Sequence, residues 1–223
     1  MLNLAGPIIS WKHVDTVLID MDGVLLDLSF DNFFWRKIIP AKYAKLHGLS
    51  ETVAQEKLML RYKELQGKLA WYCIDHWSDD LKLNIRQLKI EYRERIQFLP
   101  GATDFLVYVR KIQKRIALVT NAHPDTLAIK SKQTKVSGFV DDVFSSHNFN
   151  APKESKEFWH RFNSVYAFDP NRSVFIDDSV SVLRAARDFG ISQTIGITCP
   201  DSTLPAQKIE GFCSADGVCN LII

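Results

Sequence analysis

The chain lacks a long hydrophobic run, an excess of charge of either sign, and more than a few cysteines, and each absence removes a class of protein. No uninterrupted apolar stretch approaches the roughly 20 residues that span a bilayer, so no membrane-embedded segment is expected. The 28 Lys+Arg residues against 26 Asp+Glu leave a net charge of only +2. A nucleic-acid polymer is therefore not the expected partner, since a binder of phosphate backbones carries a dominant basic footprint. Among the four cysteines, Cys73, Cys199, Cys213 and Cys219, there is no C-x-x-C pair, and neither His13 nor His47 adds zinc-finger spacing. Cys213 and Cys219 are near enough in sequence to bridge a tail loop. The opening Met-Leu-Asn-Leu-Ala-Gly-Pro has no charged and apolar signal-peptide regions, so reduced thiols and a cytoplasmic location are the expectation. With 46% hydrophobic and 24% charged residues, and no repeat or low-complexity tract, the composition also excludes disordered and fibrous classes.

What is present is an alternation. Val14 to Ile19 is an aliphatic run broken only by Asp15 and Thr16, and it ends at acidic residues and Gly23. Short apolar runs that stop at turn formers read as buried strands. The pattern returns at Ile116–Val119 and Val174–Ile176, and more weakly at Thr194–Ile197. Helical patterns lie between: Phe105, Leu106, Val109 and Ile112 share one face, and Val182, Leu183, Ala186 and Phe189 share another, closed by Gly190. Strands alternating with helices predict an α/β fold, a doubly wound parallel sheet with helices on both faces.

Residues 28–98 interrupt this alternation. They are helical by pattern, as in Ile85, Leu88, Tyr92 and Ile96, with Ser50 as an N-cap. The segment holds 13 basic and 9 acidic residues, whereas the remainder holds 15 and 17. The expected organisation is an α/β core of residues 1–27 and 99–223 with an all-helical cap of residues 28–98. Leu99-Pro100-Gly101 marks re-entry to the core, and little is read from the tail after Pro200.

The chemistry gathers at strand ends. The first strand runs into Asp20-Met21-Asp22-Gly23-Val24, and Val174–Ile176 runs into Asp177-Asp178-Ser179. Open α/β sheets bind ligands at the carboxyl ends of their strands. Carboxylates converging there repel unless a cation neutralises them, and hard oxygen donors suit magnesium. Between the two acidic motifs, Ile116–Val119 ends in Thr120-Asn121, and the short Val143–Ser146 run is followed by Pro152-Lys153. An isolated Asp-x-Asp-Gly is often only a turn, but the ordered set is specific.

That order (two acids, Thr, Lys, two acids) resembles the haloacid dehalogenase-like hydrolases. The resemblance covers the core from residue 14 to about 198, and residues 28–98 fall where that superfamily inserts a helical cap. Longer runs, Val14–Asp20, Asp27–Asn32, Trp71-Tyr72-Cys73, Thr120–Pro124 and Pro200-Asp201-Ser202, are similar to the bacterial GMP/IMP 5′-nucleotidases. Val24 departs from the Thr that many members carry. The resemblance implies a magnesium-dependent phosphatase whose partner is a small phosphate monoester, a purine nucleotide.

Phosphoryl transfer then implies roles. Asp20 is the nucleophile that forms an aspartyl-phosphate, and Asp22 is the acid for the leaving oxygen and later the base for water. Asp20, Asp178 and the Asp22 carbonyl hold the metal, with Asp177 behind them or on a metal-bound water. Thr120 and Lys153 hold the transferring oxygens. Asn121 and His123 are candidate substrate contacts, each also readable as a loop-shaping residue. Asn32 is a candidate for reading a purine 6-oxo group. Phe33, Phe34, Trp35, Trp71, Tyr72 and Trp77 offer stacking surfaces, of which half or more are expected in the core. Ser179 is expected to cap the following helix. The alternatives are a phosphatase for a sugar phosphate or phosphoglycolate, a phosphomutase, and a receiver-like phosphoacceptor, the last disfavoured by length, motif order and the cap. A dehalogenase has no need of the acid Asp22.

Overall fold

The computed structural model describes residues 8–223; the amino-terminal heptapeptide discussed above for its lack of a signal lies outside them. Six strands, β1 (Thr16–Ile19), β2 (Arg115–Thr120), β3 (Asp142–Ser145), β4 (Ser173–Asp177), β5 (Gln193–Ile197) and β6 (Cys213–Ala215), form one parallel sheet in the order β3-β2-β1-β4-β5-β6. The period-2 alternation of a strand sends neighbouring side chains to opposite faces. Accordingly Val17 and Ile19 pack on one side with Phe105, Leu106 and Val109 of α7 (Ala102–Lys111). Leu18 and Phe175 pack on the other with Phe158 and Phe162 of α9 (Lys156–Val165) and Leu183 and Ala186 of α10 (Val180–Phe189). The remaining core helix, α8 (Pro124–Thr134), follows β2.

Chain order reverses between β1 and β4, so the crevice of the sheet opens between their carboxyl ends. The tail contributes more than its composition suggested: β6 extends the sheet, and Ile209 packs so closely that a Cβ on Gly196 would lie 2.4 Å from its Cγ2. All four cysteines are free, so Cys213 and Cys219 do not bridge the tail.

The interrupting segment carries six helices: α1 (Ser29–Phe33), α2 (Ile39–His47), α3 (Glu51–Leu65), α4 (Leu69–Tyr72), α5 (Ile74–Leu81) and α6 (Ile85–Glu91). Its two crossings are stitched together, with Asp27 N–H donating to Gln97 O and Leu99 N–H to Leu25 O. Ser50 caps α3 by accepting from Val53 N–H. Between α1 and α2 the helix widens to a π-turn at Phe34–Ile38, where Ile39 N–H reaches Phe34 O. Pro40, lacking an N–H and crowding the carbonyl four residues earlier, accounts for the widening. The widened turn bears Trp35 and Arg36, both of which face the cavity described next.

Candidate active site

A cavity of about 560 Å³ lies over the β1–β4 crevice and is roofed by the helical segment. Its floor is built by backbone turns at strand ends. Asp20 leaves β1 with its N–H on Ile176 O. The chain then turns tightly, with Leu25 and Leu26 N–H both donating to Met21 O. Gly23 is required in this turn: its φ is +81°, and a Cβ there would stand 2.7 Å from Asp178 Oδ2.

Lys153, 1% exposed, stands at the centre of the floor. Its ammonium donates to Val119 O at 3.0 Å and Asp177 Oδ2 at 2.7 Å, and its main-chain N–H donates to Asn121 Oδ1. Asp20 Oδ1 lies 2.6 Å from the same ammonium, an ion-pair distance, but off hydrogen-bonding angle, so this buried oxygen has no hydrogen-bond donor. Burial, and secondarily Asp177, push the Asp20 carboxyl up to about 6 against the pull of Lys153. Burial also raises Asp177 and Asp178, the latter further elevated by Asp177 and Asp20. Burial disfavours the Lys153 ammonium, yet Asp177 and Asp20 outweigh it and hold the ammonium charged.

The carboxylates of Asp20, Asp177 and Asp178 come within 4.8 Å of one another. Two buried acids and a half-buried third around one ammonium leave negative charge uncompensated. An all-oxygen set of this kind fits a hard divalent cation such as magnesium. The Asp22 side chain does not join the set. It accepts from the buried Lys130 of α8, which also bridges to Asp31 of α1, and Asp31 in turn accepts from the buried Lys89 of α6. Burial, then Asp31 and Asp20, raise Asp22 to about 6 despite Lys130. Burial opposes ionisation of Asp31 as well, but Lys130 and Lys89 prevail and hold it at about 2.

Thr120, 1% exposed, lines the cavity, its Oγ1 accepting from Ala122 N–H. Asn121 also lines it while bracing the loop of Lys153, its Nδ2 donating to Glu154, which accepts from Tyr72 O–H of α4 as well. Asn32 faces the cavity and donates to Asp201 Oδ2 at 2.7 Å. His123 is not among the lining residues: it occupies the N-cap of α8, where Nδ1 accepts from Asp125 N–H. Ser179 holds the N-cap position of α10 without a side-chain cap, because its hydroxyl pairs with Ser181. Its N–H instead fixes Asp177 Oδ1. Of the six insert aromatics, Trp35, Trp71 and Tyr72 line the cavity, whereas Phe34 and Trp77 are buried and Phe33 packs against Arg95 and Tyr92.

Lys130, Asp31, Lys89, Glu154 and Asp201 carry no motif that singles them out. Only the runs Asp27–Asn32 and Pro200-Asp201-Ser202 pointed near two of them.

Residues 14–190 match the family described as haloacid dehalogenase-like hydrolase. The chain is 39% identical over 202 residues to the GMP/IMP nucleotidase YrfG of Escherichia coli K12, covering 91% of each chain. Among solved structures, an HAD phosphatase from Thermococcus onnurineus superposes with a TM-score of 0.79 at 18% identity, covering 92% of this chain and 94% of that one. The L-2-haloacid dehalogenase of Xanthobacter autotrophicus superposes at 0.60 with 16% identity, covering 93% and 96%.

Proposed function

This chain belongs to the haloacid dehalogenase-like hydrolases, and from that premise we propose that it is a magnesium-dependent phosphatase acting on purine nucleoside 5′-monophosphates, GMP and IMP. The observation that carries the reading is the Asp20–Lys153–Asp177 floor beneath a roofed cavity, with the acid Asp22 held apart from it on Lys130. The cavity volume lies within the range of small-molecule sites.

Asp20 attacks phosphorus in line, forming the aspartyl-phosphate bond as the bond to the ribose 5′-oxygen breaks. The proton on Asp22 passes to that oxygen and the nucleoside departs. Asp22, now a carboxylate, takes a proton from water as that water attacks the aspartyl-phosphate, which regenerates Asp20 and frees phosphate. Burial against the Lys130 ammonium suits both tasks, since it sets the Asp22 carboxyl at about 6 and makes both protonation states accessible. Thr120 and Lys153 hold the transferring oxygens. Asp20, Asp178 and the Asp22 carbonyl would hold magnesium, with Asp177 tied to Lys153; the ion supplies positive charge between the anionic phosphate and the anionic nucleophile.

Substrate choice is assigned to the roof. Trp35 and Trp71, whose rings lie 6.5 Å apart at 30°, offer faces for a base. Asn32, fixed through Asp201, presents an amide at the same wall. The 39%-identical relative acts on GMP and IMP by its name. The test is phosphate release from GMP, IMP, AMP, pyrimidine monophosphates, sugar phosphates and phosphoglycolate, with magnesium and with chelator. Preference for GMP and IMP that chelator abolishes is expected. Magnesium-dependent turnover of another ester in preference would overturn the nucleotide assignment and keep the mechanism.

A further inference from the structure

We infer that Cys73, His123 and His147 form a second cation site, one for a thiophilic divalent ion of the zinc class, tying the helical insert to the α/β core. One ligand atom from each of the three residues lies within 4.8 Å of the others. Cys73 comes from the insert, at the start of α5, whereas His123 and His147 come from core loops after β2 and β3. The two imidazoles meet edge to face, with centroids 4.9 Å apart at 77°.

His147 Nε2 is buried and has no hydrogen-bond partner. Buried polar nitrogens in folded proteins are ordinarily paired, and the ring that carries this one is grouped with a thiol and a second imidazole. Burial, and then His123, disfavour the His147 imidazolium, leaving the neutral ring that metals bind. His123 Nδ1 accepts from Asp125 N–H, so Nε2 is the nitrogen it offers to an ion, and Asp75 Oδ2, 3.5 Å from that atom, is a further donor beside the set. Tetrahedral zinc, with Zn–S of about 2.3 Å and Zn–N of about 2.0 Å, separates its ligand atoms by roughly 3.5 Å, so the three atoms would draw together as the ion binds. One sulfur and two nitrogens select zinc, cobalt or copper over magnesium, which distinguishes this cluster from the all-oxygen floor. None of the three residues lines the catalytic cavity. The site stands whether or not the enzyme's ester is a nucleotide.

The test uses the full chain with excess magnesium present to occupy the carboxylate floor. Titration with cobalt(II) is expected to give thiolate-to-cobalt charge-transfer absorption that saturates at one equivalent and is displaced by zinc. Cys73→Ser should abolish the band, and His147→Ala should weaken binding by at least about tenfold. In the unsubstituted protein, zinc should shield Cys73 from iodoacetamide while the exposed Cys213 and Cys219 react at unchanged rates, as read by peptide mass. Absence of the band, its survival in Cys73→Ser, or alkylation of Cys73 unaffected by zinc would each overturn the proposal. The alkylation arm decides the matter even if both variants fail to fold.

Discussion

Asp20 combines two properties at odds with each other: it is buried, yet one of its oxygens has no hydrogen-bond donor. That oxygen is held by charge alone, on the Lys153 ammonium, and is the atom proposed to attack phosphorus. Asp20→Asn is isosteric and should keep the fold while lowering phosphate release by at least about a thousandfold; circular dichroism alongside a phosphate assay checks both halves. Lys153 has a different character, since the role proposed for it joins structure and catalysis. Lys153→Ala should cost orders of magnitude in rate and about 3–5 kcal/mol of stability, because it strands the Asp20 and Asp177 carboxylates without a counter-charge. Denaturant unfolding and steady-state kinetics on that variant measure the two effects, and a rate loss below tenfold would remove Lys153 from the phosphate site.

At the scale of elements, the loop after β1, α8, α1 and α6 meet in one chain of charges, Asp22–Lys130–Asp31–Lys89, with the two lysines buried and the two carboxylates partly so. This chain crosses from core to insert, so the proposed acid is positioned by contacts from both. Lys130→Met should lower kcat more than it changes KM, since the substrate's own contacts are untouched; an equal or larger effect on KM would assign Lys130 to binding. Asp31 supplies a stability test with a definite sign. Its carboxyl is held at about 2 against an ordinary 3.8, so it stabilises the fold fully above the ordinary value and loses that contribution as pH falls through about 2. Asp31→Asn should therefore cost about 2 kcal/mol at neutral pH, with the gap to the parent protein narrowing as the pH is lowered below 4 in acid-denaturation curves. A constant gap would show that ionisation is not what Asp31 contributes.

The same elements show what a linear chain can reveal. Asp20, Thr120 and Asp178 were legible because each stands at the end of an apolar run, and a parallel strand's carboxyl end has one place to be, whereas Lys153, eight residues beyond β3, was legible only from the order of the motifs. Lys130 was not, because its burial comes from contact with Asp22 and Asp31, 108 and 99 residues away. Asp201, 169 residues from Asn32, is a like case. His123 stood in a loop close to Thr120, and only the start of α8 turns it from the cavity to a capping position. The strand β6 was missed since Cys213–Ala215 is short, with two exposed residues at the sheet edge and little apolar signal.

For the whole molecule, the cavity exists because the insert closes over the sheet, with Tyr72 donating to Glu154 and Asn32 to Asp201 across the join. Four carboxyls raised chiefly by burial, Asp20, Asp22, Asp177 and Asp178, gather beneath it, and a cation held by the clustered Asp20, Asp177 and Asp178 would relieve the repulsion among those three. Saturating magnesium should raise the thermal midpoint by a few degrees, an increase that chelator reverses; an unchanged midpoint in a scanning-fluorimetry titration would count against the carboxylate floor as a metal site. The central claim is covalent transfer to Asp20, and it is tested most directly by acid-quenching the enzyme during turnover of GMP, reducing with borohydride and mapping the peptides by mass. Asp20 alone should be converted to homoserine, and only when substrate is present. Rapid phosphate release with an unmodified Asp20, or conversion at another carboxylate, would contradict it.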